Sequence, residues 1–178
     1  KMGDFRNWNC FMGLSTDSYI VSVGTDGDFT GCIAFQGYPV FFKENYIHKL
    51  YGSYPGNFQL QTTACRGVQK GCANSLAIVN EVLYYKSRAD VCAYDGSLPT
   101  GVSSQLGEVL YGSAAAGRYG GRYYVSMLDG AGKWSLFSYD TVRGVWHRED
   151  DLHASQFAAW GDSLFAIDKG SNRILDLN

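Results

Sequence analysis

The chain has 178 residues, long enough for one domain with a substantial core. Charged residues are 18%, aromatics 15%, with 22 glycines and 3 prolines, a mixture that suits short strands joined by glycine turns and excludes a helical protein. The net charge is −2 with no run of Lys or Arg, which excludes the basic footprint a nucleic-acid partner needs.

In chain order, residues 6–11, with Trp8 and Phe11, are the first candidate strand. Four approximate repeats follow, 30–62, 73–104, 112–149 and 154–178, at a period of about 42 residues. In the first repeat the predicted strands are 31–35, 39–43, 46–50 and 58–61. In the second they are 75–79, 82–86 and 91–94, with a short outer strand at 102–104. Asn80-Glu81 is a two-residue turn without the favoured Gly, and Asp95-Gly96 is a strong turn signal. Residues 106–110 form a helical turn at most. In the third repeat the strands are 113–116, 122–127, 134–139 and 145–148, with Gly120-Gly121 as a turn. In the last they are 155–159, 163–167 and 173–177. That repeat lacks an outer strand, which 6–11 would supply if the chain closes a ring and removes its open sheet edges.

No stretch of ten residues carries a helical apolar period. The predicted class is therefore all-β. A strand-built period of this length is the signature of propeller blades. The expected architecture is one domain over 1–178, a β-propeller of about four blades or an open arc of a larger ring. A β-sandwich also has evenly spaced short strands and is the competing architecture. The aromatic strand pairs, such as Phe41-Phe42, Tyr84-Tyr85 and Tyr123-Tyr124, are assigned to packing between repeats, with a sugar-stacking platform as the alternative.

The five cysteines, Cys10, Cys32, Cys65, Cys72 and Cys92, are odd in number and lack zinc-knuckle spacing. They read as reduced thiols packed as small hydrophobes. There is no apolar run long enough for a transmembrane helix and no signal peptide behind Lys1-Met2-Gly3-Asp4. A chain that starts at Lys1 reads as a piece of a longer protein.

The densest polar cluster is His147, Arg148, Glu149, Asp150, Asp151 and His153. Its residue types suit a divalent metal, but strand alternation sends neighbours to opposite faces, so a solvated loop is the expected reading. Asp26-Gly27-Asp28 and Asp129-Gly130 lack the twelve-residue calcium loop and are explained by turn chemistry. Gly117 to Gly121 precedes a strand and is a turn, not a phosphate cradle. His48, alternating with Ile47, is expected at the surface. Nothing ties Arg66, Arg88, Arg118 and Arg122 to one pocket. No catalytic, cofactor-binding or metal-ligating residue is assigned.

Three resemblances follow from the residues. Asp129, Gly132 and Trp134 partly resemble the Asp-box of sialidase-type propellers, with Met127 in place of its Ser and Ala131 in place of its Gly. In that motif the residues lock a hairpin. Tyr139-Asp140 followed by Trp146 resembles a kelch-type blade, although Gly120-Gly121 precedes the second strand where the kelch pair follows it. The widest resemblance is carried by Tyr38-Pro39-Val40-Phe41-Phe42-Lys43-Glu44-Asn45, Ile47-His48-Lys49-Leu50-Tyr51-Gly52-Ser53 with Phe58, and Gly71-Cys72-Ala73-Asn74-Ser75-Leu76. Leu83-Tyr84-Tyr85 with Tyr94-Asp95-Gly96, and Trp146-His147-Arg148-Glu149-Asp150, extend it. These segments look like propeller-repeat structural proteins of tailed phages, especially of prophages in Firmicutes. The resemblance implies a non-enzymatic structural or interaction role in the tail or head–tail part of a virion. It also implies other virion proteins as partners and assembly in the bacterial cytoplasm. A carbohydrate-binding propeller and a fragment of a propeller glycosidase are the alternatives. Function is expected in the loops that differ between repeats: 52–53, 95–97, 140–144 and 168–172.

Overall fold

The computed structural model describes residues 20–177, so the candidate closing strand at 6–11, and Cys10 with it, lies outside the described residues. The described chain is all-β. The first sheet holds β1 (Gly31–Phe35), β2 (Tyr38–Phe42), β3 (Tyr46–Tyr51) and β4 (Gln59–Ala64). The second holds β5 (Ala77–Val79), β6 (Val82–Lys86), β7 (Val91–Tyr94) and β8 (Thr100–Gly101). The third holds β9 (Tyr111–Tyr119), β10 (Arg122–Asp129), β11 (Trp134–Asp140) and β12 (Val145–Asp150). The last is three-stranded, with β13 (Ala154–Trp160), β14 (Ser163–Asp168) and β15 (Arg173–Asp176). Every sheet is an antiparallel meander in chain order. Helix is confined to short 3₁₀ turns at Pro55–Asn57, Ala73–Ser75 and Ser104–Leu106.

The first two strands of each sheet are joined by two residues: 36–37, 80–81, 120–121 and 161–162. Such short links need backbone with positive φ to match the strand twist. Gly120 and Gly121 meet this at 55° and 75°. Asn80 and Glu81 adopt the same region at 47° and 65° without being glycine.

Aromatic side chains fill the spaces between sheets. Tyr84 and Tyr85 are neighbours on β6 and so point to opposite faces. The Tyr85 ring lies 5.2 Å from Phe42 of the first sheet, and Tyr84 lies 5.5 Å from Tyr123 of the third. Phe35 meets Tyr94 at 5.7 Å across the first of these interfaces. One apolar cluster therefore runs through the first three sheets. A smaller one, Leu136, Leu152, Ala154 and Ala166, joins the third sheet to the last.

Two boundaries differ from the sequence reading. The outer strand of the second sheet is Thr100–Gly101, and residue 104, expected in that strand, begins a 3₁₀ turn. Gly101 lies close to Asp90, where a Cβ would sit 2.1 Å from the carboxylate. The inner strand of that sheet starts at Ala77, because Ser75 is held in a 3₁₀ turn. Ser75 Oγ donates to the Cys72 carbonyl at 2.6 Å and accepts from the Lys86 amide at 2.9 Å. Its carbonyl accepts from the Tyr123 hydroxyl at 2.8 Å.

Candidate interaction surfaces

A meander sends alternate connections to opposite ends of its sheet. The links between first and second strands, and those between third and fourth, share one end, called here the turn end. Side chains stitch the sheets together there. Gln36 Nε2 donates to the Asp95 carbonyl at 2.8 Å, joining the first sheet to the second. Asn80 Nδ2 makes the equivalent bond to Thr141 Oγ1 at 2.9 Å, joining the second to the third. The Tyr119 hydroxyl donates to the Asp162 carbonyl at 2.5 Å, joining the third to the last.

Every sheet presents a large exposed apolar side chain at this end: Tyr54 (58% exposed), Leu98 (62%), Val142 (84%) with the less exposed Val145 (39%), and Trp160 (80%). Their loops are rigidly capped. Asp95 Oδ1 accepts from the Ser97 amide and hydroxyl, and Asp140 Oδ1 from the amides of Val142 and Arg143. The Ser97 hydroxyl bond, then its amide, holds the Asp95 carboxyl below the ordinary range, and the Arg143 amide leads the same effect at Asp140. Loop 168–172, grouped with these in the sequence reading, joins a second strand to a third and so lies at the opposite end. Similar turn chemistry at both ends of a meander hides the difference.

The first strands of all four sheets converge. Ile33, Leu76, Ile78, Ala116, Arg118 and Phe157 border a cavity of about 420 Å³. The approach is tight on one side, where a Cβ on Gly117 would meet Phe157 Cβ at 2.4 Å. Arg118 Nη1 donates to the Ile78 carbonyl at 2.7 Å.

The residues singled out for chemistry are dispersed. In the acidic–histidine cluster, Glu149 accepts from Ser138 Oγ at 2.5 Å. Asp151 pairs with Arg148 and with Lys133. His153 stacks on Trp134 at 3.7 Å, and burial, then Lys169, lowers its pKa. Among the described residues, no group of three or more His, Cys, Asp or Glu is placed to hold a metal ion. Asp129 Oδ1 accepts from the amides of Ala131 and Lys133, the turn-locking role its Asp-box resemblance implied. Asp28 pairs with Lys70 at 3.3 Å in solvent. Arg66 pairs with Asp90 at one end of the stack, whereas Arg118 and Arg122 flank the 120–121 link at the other.

One prediction about a buried polar group is corrected. His48, expected at the surface, is fully buried at 0% exposure, covered by the segment before β1. Its Nδ1 lies 2.9 Å from Thr62 Oγ1 and its Nε2 3.4 Å from Thr25 Oγ1. Burial, and then the charge of Lys43, pushes its pKa below the ordinary imidazole value. Lys43 and Lys86 are buried too. Lys43 Nζ donates to the Thr25 carbonyl at 2.5 Å, and Lys86 Nζ donates to Gln69 Oε1 at 3.0 Å and to the Ser87 carbonyl. The sequence signal for this pair was weak: a Lys ending an aromatic strand in two successive repeats. Cys72 and Cys92 are buried, as thiols packed like small hydrophobes should be, and burial pushes Cys92 up to about 12. Cys32 is exposed.

No helix among the described residues is long and apolar enough to cross a membrane. No known protein-family model matches the sequence, and no curated protein matches it significantly.

Proposed function

We propose that this chain is a non-enzymatic interaction domain whose four sheets are blades of a β-propeller, or of an open arc of one, and whose turn end grips protein neighbours. The observation that carries the reading is the set Tyr54, Leu98, Val142 and Trp160. Every sheet places an exposed apolar side chain at the same end, beside capping and inter-sheet hydrogen bonds. Rigid presentation lowers the entropy lost on binding, and exposed aromatics are the usual anchors of protein interfaces. The resemblance to propeller-repeat proteins of tailed phages suggests the setting, a tail or head–tail part of a virion, with other virion proteins as the neighbours.

The test is a phage or prophage carrying Trp160→Ser with Val142→Ser. Both positions are exposed, so the fold should survive. Particles are expected to assemble without tails or to lose infectivity. Normal infectious particles would sink the assignment. Exposed Trp160 and Tyr54 also favour a second reading, a carbohydrate-binding face, because flat amphipathic rings stack on sugars. A glycan array and titration with free sugars separate the two, since only the second reading expects binding that Trp160→Ser removes.

A further inference from the structure

The last strand of each meander forms the outer edge of its sheet, with no ladder partner on its far side among the described residues. Unpaired strand edges invite pairing with another chain, and proteins blunt them by shortness, charge or irregular register. Three of these edges are blunted. β8 is only Thr100–Gly101. β12 carries Arg148, Glu149 and Asp150, its register is shifted, and its Trp146 amide donates to Gln105 Oε1 at 3.2 Å. β15 has four residues and a charge at either end, Arg173 and Asp176. β4 has none of these features. Its six residues include no charge, Gly or Pro, and its pairing with β3 runs without a shift over all six.

The phase of the β4 backbone follows from two hydrogen bonds. Antiparallel pairing turns the backbone groups of alternate residues toward the partner strand and those of the residues between them away. The Cys65 amide donates to the Asn45 carbonyl at 3.1 Å, so Cys65, and by alternation Thr63, Gln61 and Gln59, face β3. The Lys43 amide donates to the Tyr46 carbonyl at 2.9 Å, which fixes the same phase from the β2 side. Leu60, Thr62 and Ala64 therefore point their amides and carbonyls outward, with no partner among the described residues. Thr62 Oγ1 lies 2.9 Å from His48 Nδ1, which anchors the Thr62 side chain on the sheet face. Thr25 and Phe29 cover that face at His48, whereas the outward backbone groups lie in the plane of the sheet.

We propose that β4 pairs with β4 of a second copy of this chain, antiparallel, about a two-fold axis at Thr62. That register uses every outward group. Thr62 exchanges both of its backbone hydrogen bonds with its own mate, and Leu60 exchanges both of its own with Ala64 of the other copy. Two-fold pairing sets like against like, so a charge near the axis would face its own copy. β4 has none, and Thr62 against Thr62 is a favourable cross-strand pair. The same lack of charge favours a second copy over a charged peptide as the occupant. The contact is isologous and closes at the dimer, with the two turn ends free and pointing in opposite directions.

Sedimentation velocity and amide hydrogen exchange across a wide concentration range test this on the full chain. The wild-type protein is expected to pass from monomer to dimer as concentration rises, and to stop there. A chain that stays monomeric, or grows past the dimer, overturns the proposal. Over the same range the amides of Leu60, Thr62 and Ala64 are expected to exchange fast when dilute and slowly when concentrated. Those of Gln61 and Thr63 are expected to stay slow throughout. Dimers whose three outward amides remain fast have formed through another surface, and the proposal fails. It fails equally if those amides are already slow in the dilute monomer, because the chain then covers its own edge. Ala64→Pro removes an outward donor and spares the β3–β4 bonds, so it is expected to fold and to remain monomeric. A folded Ala64→Pro chain that still dimerises overturns the pairing. Matching thermal melts check its folding, and where it melts early the exchange pattern of the wild-type chain decides alone.

Discussion

Glu81 holds φ at 65°, a region in which an L side chain costs about 1 kcal/mol. Its side chain is exposed, so Glu81→Gly is expected to raise stability by about 1 kcal/mol in urea unfolding. Gly67 shows the opposite case. A Cβ there would sit 1.9 Å from the Lys43 carbonyl oxygen, and the Gly67 amide already donates to the Glu44 carbonyl at 2.9 Å. Neither backbone can retreat freely, so Gly67→Ala is expected to lower stability by about 2–3 kcal/mol in the same measurement. His48 and His153 give a pH signature. Burial leads in lowering both pKa values, so the native state binds protons less readily than the unfolded chain. Their contribution is complete above the ordinary histidine pKa of about 6.5 and is lost as pH falls below it. Melting temperature is expected to drop between about pH 6.5 and pH 5, with a shallower drop in His48→Gln. None of this burial was legible in the sequence. Thr25 and Phe29 cover His48 from a segment that carries no strand pattern of its own.

At the scale of elements, the strands were largely legible and their ends were not. Aromatics located β6, β7 and β10 because they fill the gaps between sheets, Tyr84 and Tyr85 on both faces of β6, Tyr94 of β7 against Phe35 and Tyr123 of β10 against Tyr84. The edge strand β8 was misplaced because it is only two residues long and is defined by its pairing with Cys92 and Ala93 of β7 rather than by a pattern of its own. The last sheet is the least secured element. It has three strands, and its apolar contact with the third sheet is the smaller cluster around Leu136, Leu152 and Ala154. Local opening should start where buried apolar contact is least. Hydrogen exchange is therefore expected to be faster at β13–β15 amides than at β6, β7 and β10. Equal protection across all four sheets would refute this ranking.

For the whole molecule, the repeat period pointed to like units, and the structure delivers four antiparallel meanders. Ends and faces were harder to read. Which loops share the turn end follows from strand order, and 168–172, one of the loops that differ between repeats, falls at the opposite end from the other three. Tyr54, Leu98, Val142 and Trp160 have no common sequence motif, and only the stack gathers them at one end. The exposure of Ile167 was equally hidden, since an outward isoleucine looks in sequence like any inward one.

The meander order has one more consequence. Among the described residues every ladder joins strands that follow one another in the chain, so none of these strands waits for a distant partner before pairing. Short loops close in well under a microsecond, while docking one preformed unit on another is slower. During synthesis each sheet can therefore assemble as it emerges and dock on the one already made. Refolding from urea is expected to recover far-ultraviolet dichroism first and the near-ultraviolet signal of the packed tyrosines second. Simultaneous recovery of both signals would indicate that the sheets form only on docking.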